Sequence, residues 1–182
     1  MRGTERIAVV AVFSSLIVGS DFALAPFYNV KLLDTLVFVT AYVFGFRLGA
    51  AVAILSETTW SFVSPIGIAG VITPFLVGGE LLFAAAGWWA SKVWGDRAKL
   101  LSPNSIFIGG LMLICAFVWD LETNAATALI AYWPALTVKS LLLTEGFGIP
   151  FALTHETADF LLGILVAPPT ILGIPKLFRG VR

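Results

Sequence analysis

The sequence predicts an all-α, polytopic membrane protein: a six-transmembrane-helix bundle with a long outer loop between helices 5 and 6. Three observations carry that prediction. Of 182 residues, 59% are hydrophobic and only 12% are charged, and mean hydropathy is +0.97; so little polar surface cannot clothe a soluble domain. Apolar runs of helix length recur along the chain, punctuated by Gly and Pro. The basic residues fall on one side once those runs are threaded through a bilayer. No repeat or linker divides the chain, so 1–182 is read as a single integral membrane domain.

The first helix is expected over 6–25. MRGTERIAVVAVFSSLIVG followed by Ala23–Leu24–Ala25 imitates a secretory signal. Pro26 after the would-be cut argues instead for a retained span. The second and third helices, 32–46 and 48–63, are short and joined by the tight basic turn GFRLG. SPIGIAG leads into the fourth, 71–94, and GDRAKLLSPN into the fifth, 104–121. The sixth, 151–175, contains Pro168–Pro169, which should kink or shorten it. The stretch 123–150 is apolar but carries Pro134, Lys139 and Glu145, and is expected as a long outer loop, partly helical and folded over the bundle.

That topology puts both termini in the cytoplasm, with the protein in the cell membrane. Of eleven basic residues, Arg2, Arg6, Arg47, Lys92, Arg97, Lys99, Lys176, Arg179 and Arg182 fall inside; Lys31 and Lys139 fall outside. Of eleven acids, only Glu5 and Asp96 fall inside. Asp21, Asp34, Glu57, Glu80, Asp120, Glu122, Glu145, Glu156 and Asp159 fall in the outer half or the outer loops, some of them only at helix ends where water solvates them. Glu57 and Glu80 lie deeper, where an ionised carboxylate costs about 2.5–3.5 kcal/mol and must face an interior or a wet cavity.

Glu57, Trp60, Ser61 and Ser64 share a helical face by spacing, as do Thr73, Val77 and Glu80. Trp119, Asp120 and Asn124 end the fifth helix at the same level; His155, Glu156 and Asp159 open the sixth. The expected substrate pocket is therefore lined by Glu57, Trp60, Glu80, Trp119, Asp120, Asn124, His155 and Asp159, with Lys139 the base beside it. Apolar walls with a few convergent polar groups suit a small molecule. Excess acid beside tryptophan favours a cationic or nitrogen-heterocyclic one.

Enzyme chemistry is disfavoured. The run HETAD lacks the second histidine of H-E-x-x-H, and the chain has one His and one Cys, so no metal site and no cofactor are expected. There is no P-loop and no G-x-S-x-G, and a net charge of zero gives no reason to expect nucleic acid.

The chain resembles the membrane-embedded substrate-binding (S) components of energy-coupling factor (ECF) transporters. The likeness lies in the small residues of helix 1, in VFGFRLGAAVAILSETTWSFVSPIG, in WDLETNAATAL and in GIPFALTHETADFLLGILVAPPTI. It implies a six-helix fold with its ligand site near the outer surface, capped by the loops after helices 1, 3 and 5. It also implies capture of a vitamin or related micronutrient, delivered with a transmembrane coupling subunit and a pair of cytoplasmic ATPases. Ala8, Ala11 and Ser15 match the family's contact with the coupling subunit. A stand-alone proton- or cation-coupled carrier is the alternative, with Glu57, Glu80 and Asp159 as relay groups.

Overall fold

The computed structural model describes residues 1–95 and 102–179, the last five of these as backbone alone. Its elements are α1 (Gly3–Leu24), α2 (Leu33–Phe44), α3 (Phe46–Val63), a 3-10 turn at Gly70–Ile72, α4 (Thr73–Trp94), α5 (Pro103–Tyr132), α6 (Val138–Leu165) and α7 (Ala167–Arg179). No strand occurs among the described residues. Arg97, Lys99, Asp96 and Arg182, which help to orient the chain, lie outside the described residues, as do the side chains of Lys176 and Arg179.

The short helix α2 is the centre of the bundle. Leu33 through Tyr42 are all buried, which suits a segment apolar on every side. A single residue, Gly45, separates α2 from α3; its φ of 92° is a conformation glycine adopts without a Cβ penalty. α3 and α4 pack on two sides of α2, and α7 lays Ala167, Ile171 and Ile174 against it. At about 18 Å, α2 is too short to cross a hydrocarbon core of about 30 Å alone. α1, α4 with its 3-10 turn, and α5 are long and apolar enough to cross, and α6 with α7 makes a fourth if the bent pair is one span.

That bend is the one Pro168–Pro169 predicts. α6 ends at Leu165, α7 begins at Ala167, and the two diverge by 43°. The prolines fall in the first turn of α7, where no intrahelical donor is required of them.

The expectation for 123–150 is corrected. α5 continues to Tyr132, α6 begins at Val138, and only Trp133–Thr137 connects them. At about 45 Å, α5 is longer than a bilayer core is thick, and the adjoining ends of α5 and α6 form a helical hairpin. Thr137 and Ser140 cap α6 reciprocally, Ser140 N–H donating to Thr137 Oγ1 at 3.1 Å and Thr137 N–H to Ser140 Oγ at 2.9 Å. Paired small residues fasten the hairpin lower down: a Cβ on Gly163 would stand 2.7 Å from Gly109 Cα. Lys139 and Trp133 are exposed near its tip, away from the buried site described below.

Polarity is arranged as lipid demands. Val12, Leu16, Ile54, Leu55, Phe107, Ile114 and Phe117 are exposed, whereas six carboxylates are buried. Trp88 and Trp89 are exposed near the C-terminal end of α4, with the Lys92 ammonium 6.0 Å from the Trp88 ring centroid. That is the placement of an aromatic anchor at a membrane interface.

Candidate functional site

Each of the first six helices sends one carboxylate into the interior. These are Asp21 of α1, Asp34 of α2, Glu57 of α3, Glu80 of α4, Asp120 of α5 and Asp159 of α6; Asp120 is 7% exposed and the others 1%. They act on one another electrostatically: Asp34 on Asp21, Glu57, Glu80 and Asp159, and Asp120 on Asp159. Oδ2 of Asp34 and Oε2 of Glu80 are both buried without a hydrogen-bond partner. Ser61 Oγ donates to Glu57 Oε1 at 3.0 Å.

Two bases enter this acidic interior. His155 is 2% exposed. Its Nδ1 lies 3.1 Å from Asp120 Oδ2, and its Nε2 lies 3.6 Å from Asp34 Oδ2 and 3.7 Å from Asp159 Oδ2. The second base is Lys31, in the α1–α2 connection. Its ammonium stands over the Trp119 ring, 5.5 Å from the centroid, and is drawn by Glu57, Asp34, Glu80 and Asp21. Burial works against its charge, but those four acids outweigh burial and hold the ammonium above the ordinary lysine range. Among the described residues no carboxylate comes within 4.0 Å of it.

Local chemistry explains the placement of Lys31. Asp21 Oδ1 accepts from the Leu32 backbone N–H at 2.9 Å, tying the end of the connection back to α1. Asn29, at a left-handed φ of 57°, donates through Nδ2 to the Phe151 carbonyl at 2.9 Å. Tyr28 packs on Phe151 with ring centroids 4.8 Å apart. The connection thus lies against α6.

Most of the expected pocket residues are brought together: Glu57, Glu80, Trp119, Asp120, His155 and Asp159. Trp119 is held by a bond from Nε1 to the Leu76 carbonyl at 3.3 Å and stands edge-on to His155 at 5.0 Å. Gly79 makes room for it, since any Cβ there would overlap the indole. Two residues take other parts. Trp60 is buried with its ring edge-on to Phe22 of α1, 5.4 Å away. Asn124 donates to Glu145 Oε2 at 3.2 Å, bridging α5 and α6. With Asp120, Glu145 and Glu156 it lines a hollow of about 270 Å³ on the outside of the hairpin.

Three residues of the interior lie outside the expected pocket set: Asp21 and Asp34, both buried, and Lys31, the base at the site in place of Lys139. A signal for Asp34 exists in the sequence: it opens a helix with no polar face, so every residue there is enclosed. Asp21 follows Ser14 and Ile17 on the buried stripe of α1.

The stripe Ala8, Ala11 and Ser15 is exposed on the side of α1 away from the bundle. Packing inside the bundle therefore does not account for it. Ala11 lines an apolar groove of about 320 Å³ with Arg6, Ile7, Val10, Leu48 and Leu55.

No family model, no curated protein and no solved structure matches the chain.

Proposed function

We propose that the protein is a membrane-embedded capture subunit for a small cationic or nitrogen-heterocyclic solute, working as the S component of an ECF-type importer. The observation that carries this reading is the convergence of one buried carboxylate from each of six helices on a single interior. Burying a charge without a partner is costly, so groups so arranged are kept for a function. Trp119 offers an aromatic face beside the acids. Lys31 and the acids attract one another without a contact inside 4.0 Å, which leaves the acids free to pair with a cationic group of a solute. In this reading α1 to α5 and the bent α6–α7 pair give six crossings, with both termini cytoplasmic. The exposed Ala8, Ala11 and Ser15 meet a transmembrane coupling subunit, served by two cytoplasmic ATPases, and the solute is a vitamin or related micronutrient. The small side chains support this, since they let a partner helix approach closely.

The test is mass spectrometry of small molecules that co-purify with the protein, followed by thermal-shift measurement against a vitamin and amine panel. One co-purified nitrogenous solute per chain, with matching stabilisation, is the expected result. A protein that carries no solute and melts unchanged across the panel removes the reading.

The burial of Glu57, Glu80 and Asp159, the three relay groups, supports one second reading, a stand-alone proton- or cation-coupled carrier. It requires pH-driven flux in liposomes containing this chain alone, which the capture reading does not.

A further inference from the structure

We infer that Asp34, His155 and Asp159 form a binding site for one divalent metal ion of zinc type. Three buried ligand atoms, the two Oδ2 atoms and Nε2, all lie within 4.8 Å of one another. The separations of 3.6 and 3.7 Å from Nε2 are too long for good hydrogen bonds. They are close to what a shared ion requires, because two ligands each about 2.1 Å from a tetrahedral zinc stand roughly 3.4 Å apart. Asp34 Oδ2 and Asp159 Oδ2 are buried with no hydrogen-bond partner, on residues only 1% exposed. They aim at the same point as Nε2.

The far side of the imidazole supplies an independent sign. Metal-bound histidines characteristically donate their other N–H to a carboxylate, which fixes the tautomer and turns the free lone pair to the ion. Here Nδ1 lies 3.1 Å from Asp120 Oδ2. A proton on Nδ1, donated to Asp120, leaves the Nε2 lone pair facing Asp34 and Asp159. Three protein ligands leave the fourth tetrahedral position to a water or another small ligand. Nitrogen with carboxylate oxygens suits zinc-like ions better than calcium or magnesium, which take oxygen alone. Such an ion would neutralise two buried charges and tie α2 to α6. Nothing in the sequence alone points to a metal, because it contains one histidine and the acid that completes the set, Asp34, lies far away in the chain. The site also differs from the hydrolase pattern: Glu156 turns to the outer hollow and is not among the ligands. The inference shares Asp34 and Asp159 with the solute reading but needs no solute bound, so metal content and co-purified solute are read separately and either can fail alone.

The experiment uses the full chain in detergent, stripped with a chelator and then equilibrated separately with Zn²⁺, Co²⁺, Ca²⁺ and Mg²⁺. Metal content is read by mass spectrometry and Co²⁺ by its visible absorption. We expect close to one zinc per chain, a cobalt spectrum of low-symmetry four- or five-coordinate type, and no retained calcium or magnesium. Asp34→Asn, Asp159→Asn and His155→Ala should each weaken zinc at least tenfold. Asp120→Asn, acting through the imidazole, should weaken it by about 10–100-fold, and Glu145→Gln should leave it unchanged. A folded wild-type chain with under about a tenth of a zinc and no cobalt absorption overturns the inference without recourse to any variant. So does unaltered zinc binding in His155→Ala.

Discussion

At the residue scale, Lys31 and the acids around it decide the character of the interior. Lys31 is half-buried and attracts the acids without a contact inside 4.0 Å, so removing it should cost about 1 kcal/mol, the upper range for a partly exposed pair. Lys31→Met is therefore expected to lower the midpoint of unfolding in denaturant by a small but measurable amount. An unchanged midpoint would show that the acids do not rely on it. Because the ammonium is held above the ordinary lysine range, its contribution is complete below that range, including at neutral pH. It disappears only as pH climbs through the raised value, so alkaline melts should show the loss and melts near neutral pH should not. Glu57→Gln keeps shape and removes one negative charge. It should weaken solute binding at least tenfold, roughly 1.4 kcal/mol, in a titration with the co-purified solute, and equal affinity would place Glu57 outside the solute's reach.

At the scale of elements, the α5–α6 hairpin depends on glycine pairs that let two helices approach closely. Gly163 faces Gly109 Cα and Met112 Sδ with no space for a Cβ. Gly163→Leu overpacks that crossing and should destabilise by about 1–3 kcal/mol or more. Gly110, one residue along α5 from Gly109, has open space where a Cβ would stand, with nothing within 4 Å. Gly110→Ala should be neutral or stabilising, by up to about 1 kcal/mol. Thermal melts of the two variants in one detergent compare them directly, and equal losses would mean the hairpin is not packed through Gly163. The same element shows where local patterns mislead. Pro134, Lys139 and Glu145 look like breaks in a span, yet Pro134 sits in the five-residue turn, and Lys139 and Glu145 ride on α6 itself. A charge within an apolar stretch does not by itself end a helix.

For the whole molecule, the arrangement is an inverted one, acids inside and aliphatic side chains out, with α2 enclosed at the centre. The outward face of α1 is then available to another membrane protein. Ala11→Trp should leave solute binding within about twofold and abolish uptake in cells or in a reconstituted importer. Uptake at the parental rate would remove α1 from the docking surface. The α1–α2 connection lies on α6, and the region after Tyr132 is a five-residue turn between two long helices.

What the sequence determined by itself was the membrane class, the bounds of α1 to α4 to within a few residues, the proline break before α7, and the burial of Glu57 and Glu80. Each depends on local composition or on periodicity, which a single chain displays along its length. Only the tertiary structure decided that Asp21, Asp34 and Lys31 join them, that Asn124 turns instead to Glu145, and that His155 stands between three aspartates drawn from α2, α5 and α6. Those contacts link residues far apart in the chain, and their register depends on how tightly helices cross at Gly163 and Gly79. That closeness of packing is a property of facing surfaces, and no single segment carries it.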